Sequence, residues 1–261
     1  MQINVETSIE PSAPLVEVFS SIQGEGIHVG RRQVFVRTFG CNLSCEYCDT
    51  PTARTAAPLV WSALSPEGEI FSNPNPANVS DVIAAVHELE SVSGPHHSLL
   101  ITGGEPLLHP AFVAELSRRS REMGLPVHLE TNGTLPEALA AILGYVDVIA
   151  ADVKLKSASG EDIPPALHAE FLSLAITAGK EVFVKMIVTS ATDLSEIQNA
   201  AEMVAKINPE IPLVIQPAAS PPGRQRIIPS GTKLLEMQRA CLHFLRDVRV
   251  IPQCHKILGV R

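Results

Sequence analysis

No uninterrupted apolar segment in the 261 residues approaches the roughly 18 needed to span a membrane, and Met1 to Pro14 lacks the basic region and apolar run of a secretory leader. The expectation is a soluble, cytoplasmic protein. Positive charge is scarce too: 20 Lys and Arg against 28 Asp and Glu leave a formal net charge of -8. Nucleic acid and membrane surfaces are polyanionic and are repelled by such a chain at long range, so neither is expected as a partner. Any anionic ligand must be caught locally. Cysteine is sparse and oddly placed, with five in all and three of them between positions 41 and 48. A secreted disulfide framework has even counts spread along the chain, so the cluster reads as metal ligation. Disorder is excluded as well, because 45% hydrophobic and 18% charged residues are ordinary globular values.

The length suits one sizeable α/β domain over 1–261, carrying a cysteine loop at 41–48 and an irregular insertion at about 51–78, where Pro, Ala, Ser and Asn show no sustained period. Gln33 to Phe39 reads as a buried strand ending at Gly40, just before the first cysteine. Beyond the insertion the pattern alternates. Helices are expected at Val79–Leu89 (capped by Asn78 or Ser80), Pro110–Glu122, Pro136–Leu143, Pro164–Ala178, Leu194–Lys206 and Gly231–Leu245. Strands are expected at Ser98–Thr102, Val127–Glu130, Val146–Asp152, Glu181–Val188 and Leu213–Gln216, with a last short run at Val248–Ile251. Such alternation implies parallel βαβ crossovers, in a doubly wound sheet or a full or partial barrel. In both, functional residues gather at the carboxyl ends of strands. Cys41, Gly103 to Glu105, Glu130 to Asn132, Asp152, Lys154 and Gln216 all follow expected strands.

Cys41, Cys45 and Cys48 form CxxxCxxC, and soft thiolates on one loop select iron–sulfur or zinc over hard cations. A four-iron cluster held by three thiolates leaves one iron open, whereas structural zinc prefers four ligands. Spacing alone leaves zinc open, with His28 or a distant cysteine as the fourth ligand. Cys241 and Cys254 lie in no ligand-spaced group and read as buried or incidental thiols.

The cysteine loop after the first strand, followed by Gly103-Gly104-Glu105-Pro106 after the second, resembles the signature pair of radical S-adenosylmethionine (SAM) enzymes. The resemblance implies a partial or modified TIM-type (β/α) barrel of about six parallel strands. It also implies a 4Fe–4S cluster on Cys41, Cys45 and Cys48 whose open iron binds the methionyl group of SAM. Gly103, Gly104 and Glu105 would hold the amino group, since glycine lets main chain approach a ligand and a carboxylate accepts from an ammonium. Glu130 and Asn132, in Glu-Thr-Asn-Gly-Thr, resemble the segment bordering the ribose and methionyl group. Asp152 and Lys154 follow the next strand, and Gln216 is a candidate contact on the adenine side.

Within that superfamily, Val18-Phe19-Ser20-Ser21-Ile22-Gln23-Gly24-Glu25-Gly26, Gly30-Arg31, Val36 to Leu43, Cys48-Asp49-Thr50 and Pro252-Gln253-Cys254-His255-Lys256 closely resemble the family of 7-carboxy-7-deazaguanine synthases. The family implies ring contraction of 6-carboxy-5,6,7,8-tetrahydropterin to 7-carboxy-7-deazaguanine with loss of ammonia, a step toward queuosine and related deazapurines. A radical derived from SAM takes a hydrogen from the pterin and returns it, without net oxidation. Thr50 resembles the family's magnesium contact, with Asp49 ordering waters around the ion. Arg37 suits a forked pair with the substrate carboxylate. Gln23, Glu25 and Gly26 read the pterin edge beside Gly104, and Gln253 and His255 close the pocket. A homodimer and a flavodoxin or ferredoxin-type reductant are implied, with Arg31, Arg32 and Arg54 as candidate docking residues for an acidic donor. Two readings compete: a glycyl-radical activating enzyme, which acts on a protein backbone, and a zinc-binding module without enzymatic activity.

Overall fold

The computed structural model describes residues 10–50, 56–219 and 228–261. In chain order it begins with β1 (Ser12–Ala13), β2 (Leu15–Ile22) and β3 (Arg32–Thr38), then the cysteine loop. Next come β4 (Val60–Ser65), β5 (Gly68–Pro74) and β6 (Ala77–Asn78). The regular series follows: α1 (Val79–Ser93), β7 (Ser98–Gly103), α2 (Pro110–Glu122), β8 (Val127–Thr131), α3 (Pro136–Ile142) and β9 (Val148–Asp152). It continues with α4 (Lys156–Ser159), α5 (Pro165–Thr177), β10 (Glu181–Val188), α6 (Leu194–Ile207), β11 (Leu213–Pro217), α7 (Gly231–Leu242), β12 (Val248–Val250) and α8 (Cys254–Leu258). Capping chemistry explains the helix starts. Asn78 accepts from the Asp81 N–H at 2.8 Å, and α2, α3 and α5 each begin at a proline, whose missing N–H a first turn does not need. Among the described residues no helix is long and apolar enough to cross a membrane.

One sheet has the order β12-β11-β10-β9-β8-β7-β3-β2-β4-β5. From β3 to β12 neighbouring strands are parallel, β2 runs antiparallel to β3, and β4 and β5 form an antiparallel hairpin outside it. The expected partial barrel is therefore an open one, with β12 and β5 as free edges among the described residues. Val248–Val250 joins as a further parallel strand beyond the six expected.

The N-terminal motif begins on strand β2, which pairs with β3 from Leu15↔Thr38 to Ile22↔Arg32, and one expectation is corrected. The segment expected to be irregular carries a hairpin in its described part. Its apolar residues sit at alternate positions, so Trp61 and Ala63 are buried while Val60 is exposed. Serines within the strand and prolines at its flanks hid that period. Asn75 ties the hairpin down by accepting from the Leu15 N–H at 2.9 Å and donating to the Leu15 and Pro58 carbonyls.

Strand alternation divides the sheet chemically. Val34 and Val36 of β3, Leu99 and Ile101 of β7, Val127 and Leu129 of β8, and Val182, Val184 and Met186 of β10 pack with the helices in the main core. Residues between them face the other side, where Phe19, Phe35 and Leu100 form one small apolar cluster and Val148, Ala150, Phe183 and Val214 another. That second face also carries the polar residues of the site.

Candidate active site

A cavity of about 220 Å³ opens at the carboxyl ends of the parallel strands. Cys41, Cys45 and Cys48 line it, none of them in a disulfide and all partly buried. Gly40, at φ +98, turns the chain out of β3 into their loop. Burial pushes the thiols of Cys41 and Cys45 up. Each therefore keeps its proton near neutral pH until a cationic metal centre displaces it.

Gly103 and Gly104 fit their positions for steric reasons. A Cβ on Gly104 would stand 2.0 Å from the Gly40 carbonyl oxygen, and one on Gly103, at φ +144, would stand 2.3 Å from that of Thr38. The Gly-Gly segment thus lies directly on the start of the cysteine loop. Glu105 departs from expectation: it is fully buried, and its carboxylate accepts from Leu107 N–H at 3.0 Å, Thr131 Oγ1 at 2.8 Å and Asn132 N–H at 2.7 Å. Its oxygens are turned away from any ammonium and hold the β8 loop in place. Asn132 in turn donates to Asn42 Oδ1 at 2.8 Å, and Asn42 donates to Thr134 Oγ1 at 2.9 Å. The loops after β3, β7 and β8 are thereby fastened together.

Asp152 Oδ2 accepts from Lys154 Nζ at 2.7 Å, and that ammonium lies 5.4 Å from the Tyr47 ring. Asp152 Oδ1 and Gln216 Oε1 are buried acceptors without a partner among the described residues, and both residues line the cavity. Glu130 accepts from Gln23 Nε2 at 3.1 Å and Thr102 Oγ1 at 3.2 Å.

The other wall comes from the N-terminal motif and α8. Glu25 is bonded to Lys185 Nζ and accepts from Gln253 Nε2 at 2.8 Å. Burial raises the Glu25 carboxyl, but Lys185 outweighs it and holds the group down at about 2. Gln23 does not face the cavity freely. Its amide donates to Gln33 and Glu130 and accepts from the Glu25 N–H, and its main chain pairs with Gly30 and Arg31. Gly26 turns at φ +67 against the Phe183 ring. A Cβ on Gly24 would collide with His255 at 2.4 Å, so α8 packs straight onto the motif and brings His255 to the cavity.

Arg37 lines the cavity, with Nε donating to Glu17 Oε1 at 3.0 Å and its guanidinium 5.5 Å from the Phe19 ring. Thr50 Oγ1 donates to Asp49 Oδ1 at 3.1 Å. Burial raises the Asp49 carboxyl, while Lys256 and the bonds from Gln253 and Thr50 bring it down to about 2. Ligand atoms of Glu25, Asp49 and His255 lie within 4.8 Å of one another, next to Thr50.

The cavity lining includes each residue expected at the site except Gly26 and Glu105, and two further expectations change. Arg31 and Arg32 stand at the amino end of β3, so a strand of about 3.3 Å per residue separates them from the cysteine loop by about 20 Å. Arg54 lies outside the described residues. His28 bonds Glu181 at 2.8 Å at that same amino end and does not complete a metal site with the cysteines. Lys185 was missed. Its signal was a lysine inside the apolar run Val182–Val188, the same anomaly that marks Arg37.

The family model described as "Radical SAM superfamily" matches residues 35–208. The 7-carboxy-7-deazaguanine synthase of Geobacter sulfurreducens is 40% identical over 251 residues, covering 96% of this chain and 98% of that protein. The synthase of the same name from Methanothermobacter thermautotrophicus is 38% identical, covering 95% and 98%. Among solved structures, QueE from Escherichia coli superposes with a TM-score of 0.60 over 94% of this chain and 95% of that one, at 19% identity, which speaks for the fold.

Proposed function

This chain belongs to the radical SAM superfamily and, within it, to the family of 7-carboxy-7-deazaguanine synthases, and on that footing we propose that it contracts 6-carboxy-5,6,7,8-tetrahydropterin to 7-carboxy-7-deazaguanine with release of ammonia. The observation that carries the reading is the agreement of near-full-length relatives with one cavity that holds three free thiols, buried acceptors without a partner among the described residues and a half-buried ionised carboxylate. The same relatives disfavour the glycyl-radical activating alternative.

The residues present fit a 4Fe–4S cluster on Cys41, Cys45 and Cys48. When bound, cluster and SAM supply the one-electron cleavage that generates a carbon radical for hydrogen abstraction. The remaining roles fall to the chain. Gly103 and Gly104 offer main chain to the methionyl group, with Glu105 bracing them from behind. Asp152 Oδ1 and Gln216 Oε1 accept from SAM donors beside Asn132 and Glu130, and Lys154 balances the local negative charge.

On the substrate side, Arg37 keeps its two terminal nitrogens for the pterin carboxylate while Glu17 steadies its Nε. Glu25, ionised throughout the working pH range, accepts from the pterin's amino and ring N–H groups, flanked by Gln23, Gly26 and Gly104. Gln253 and His255 close the rim, and Phe19, Phe35 and Leu43 keep water from the reacting carbon. Magnesium binds at Thr50 with Asp49 behind it, a hydroxyl plus waters being suited to a hard ion. A flavodoxin or ferredoxin-type protein supplies the electron in the cytoplasm, and the enzyme works as a homodimer.

Anaerobically reconstituted protein given SAM, a reductant, magnesium and the pterin is expected to form 7-carboxy-7-deazaguanine, identified by mass. SAM cleavage with no such product would overturn the assignment.

A further inference from the structure

Beneath the cavity a chain of hydrogen bonds runs from the amino end of the sheet to the pocket floor, and chemistry at both ends settles its direction. Arg31 at the outer end can only donate, so His97 Nε2 accepts from it. His97 then carries its proton on Nδ1 and donates to Ser98 Oγ at 3.1 Å. Gln33 directs both amide hydrogens the same way, to Ser98 Oγ at 2.7 Å and His128 Nδ1 at 3.2 Å. That leaves Gln33 Oε1 facing Gln23 Nε2 at 3.1 Å. Gln23 gives its second hydrogen to Glu130 Oε1 at 3.1 Å and accepts from the Glu25 N–H at 2.9 Å. At the inner end the Glu130 carboxylate only accepts. Burial holds both His97 and His128 on the neutral side, as their accepting nitrogens require.

Gln33 and His128 are fully buried and neither borders the cavity. Stability does not account for them, because a fully bonded buried amide adds little over an apolar side chain of its size, and His128 Nε2 is buried with no partner among the described residues. Ser98, paired with Gln33, and His128 share the level of Gln33 on that face, while Phe35 and Leu100, one step along β3 and β7, are apolar. What the amide adds is direction.

We propose that Gln33 is a positioning residue for the pterin: it fixes the amide of Gln23, and through it the Glu25 main chain, in one donor–acceptor arrangement facing the substrate's donor-rich aminopyrimidinone edge. The inference rests on the pterin reading above. Gln33→Leu is expected to raise the pterin KM roughly tenfold while reductive cleavage of SAM to 5′-deoxyadenosine without pterin stays at the wild-type rate. The double variant with Gln23→Ala shows no higher KM than Gln23→Ala alone, since both act through one amide. Gln33→Glu, which as the neutral acid donates to His128 and still accepts from Gln23, stays within about threefold of wild type. An unchanged KM in Gln33→Leu, multiplied effects in the double variant, or a Gln33→Glu as impaired as Gln33→Leu would each overturn the proposal.

A readout without substrate separates this failure from that of the pterin assignment. In 15N-histidine spectra of the oxidised holoenzyme, His128 Nδ1 is expected as a bare, hydrogen-bonded nitrogen that moves in Gln33→Leu. A proton found on Nδ1 reverses the chain and ends the inference, whether or not the pterin is turned over.

Discussion

At the scale of single residues, the pocket depends on charges that are buried but matched. Lys185 is buried and Glu25 is half-buried with 15% of its side chain exposed, and removing one partner of such a pair leaves the other uncompensated, at a cost of about 3–5 kcal/mol. With Lys185 in place the Glu25 carboxyl stays at about 2, so it contributes no pH dependence between 5 and 9. In Lys185→Met the burial that now opposes ionisation has no counterweight, and the carboxyl rises above its ordinary 4.5. The pterin KM is therefore expected to rise as pH falls toward 6 and to recover toward pH 8.5, where the carboxylate is regained. Steady-state kinetics across that range checks this, and a profile parallel to the wild type would remove Glu25 from the substrate contact.

Elements were legible where their cause was local. The six expected helices appear with ends within four residues of those expected, the first capped by Asn78, because proline starts and apolar periodicity act within one turn. Likewise the cysteine loop and the Gly-Gly-Glu turn are contiguous in sequence. What escaped depends on partners far along the chain: the hairpin β4–β5, whose Trp61 is buried by other elements; Lys185, which meets Glu25 across 160 positions; and Gln33, which meets His128 across 95. Glu105 was assigned a ligand role because its true partners, Thr131 and Asn132, lie at the end of β8 and just after it.

Helix α5 shows such a distant tie with a measurable consequence. Its His168 accepts from the Lys154 N–H at 3.3 Å and bonds Gly133, joining the loops after β8 and β9. Burial lowers its imidazole from 6.5 to about 4. The folded chain keeps it neutral while the unfolded chain takes up a proton, so this stability is complete above pH 6.5 and declines as pH falls toward 4. Linkage puts the loss at about 2 kcal/mol by pH 5. Glu25 and Asp49, both held at about 2, lose their contribution only at lower pH and do not obscure the window. Urea unfolding at pH 7.5 and pH 5 should show His168→Gln losing about 2 kcal/mol less than wild type between the two. Equal losses would show that this imidazole is not the group responsible.

Over the whole molecule, the site is closed by segments from opposite ends of the described chain. Cys254 N–H donates to the Gly24 carbonyl at 2.8 Å, Gln253 bonds both Glu25 and Asp49 at 2.8 Å, and Lys256 reaches Asp49 at 3.0 Å. Further along, Ser21 Oγ donates to the Arg261 carbonyl at 2.9 Å, and the Arg261 guanidinium pairs with Glu17, the same carboxylate that steadies Arg37. The parallel sheet and its cysteine loop need none of these contacts, since α8 buries no residue fully and exposes Ile257 and Leu258. Removal of residues 253–261 is thus expected to leave cluster loading and SAM cleavage intact while opening the pterin wall to water and thiols. The ratio of 5′-deoxyadenosine to 7-carboxy-7-deazaguanine should then climb severalfold, because a radical formed in an open pocket is quenched before the substrate is aligned. If the truncated protein keeps the wild-type ratio, the C-terminal segment is packing alone and the pocket is sealed from elsewhere.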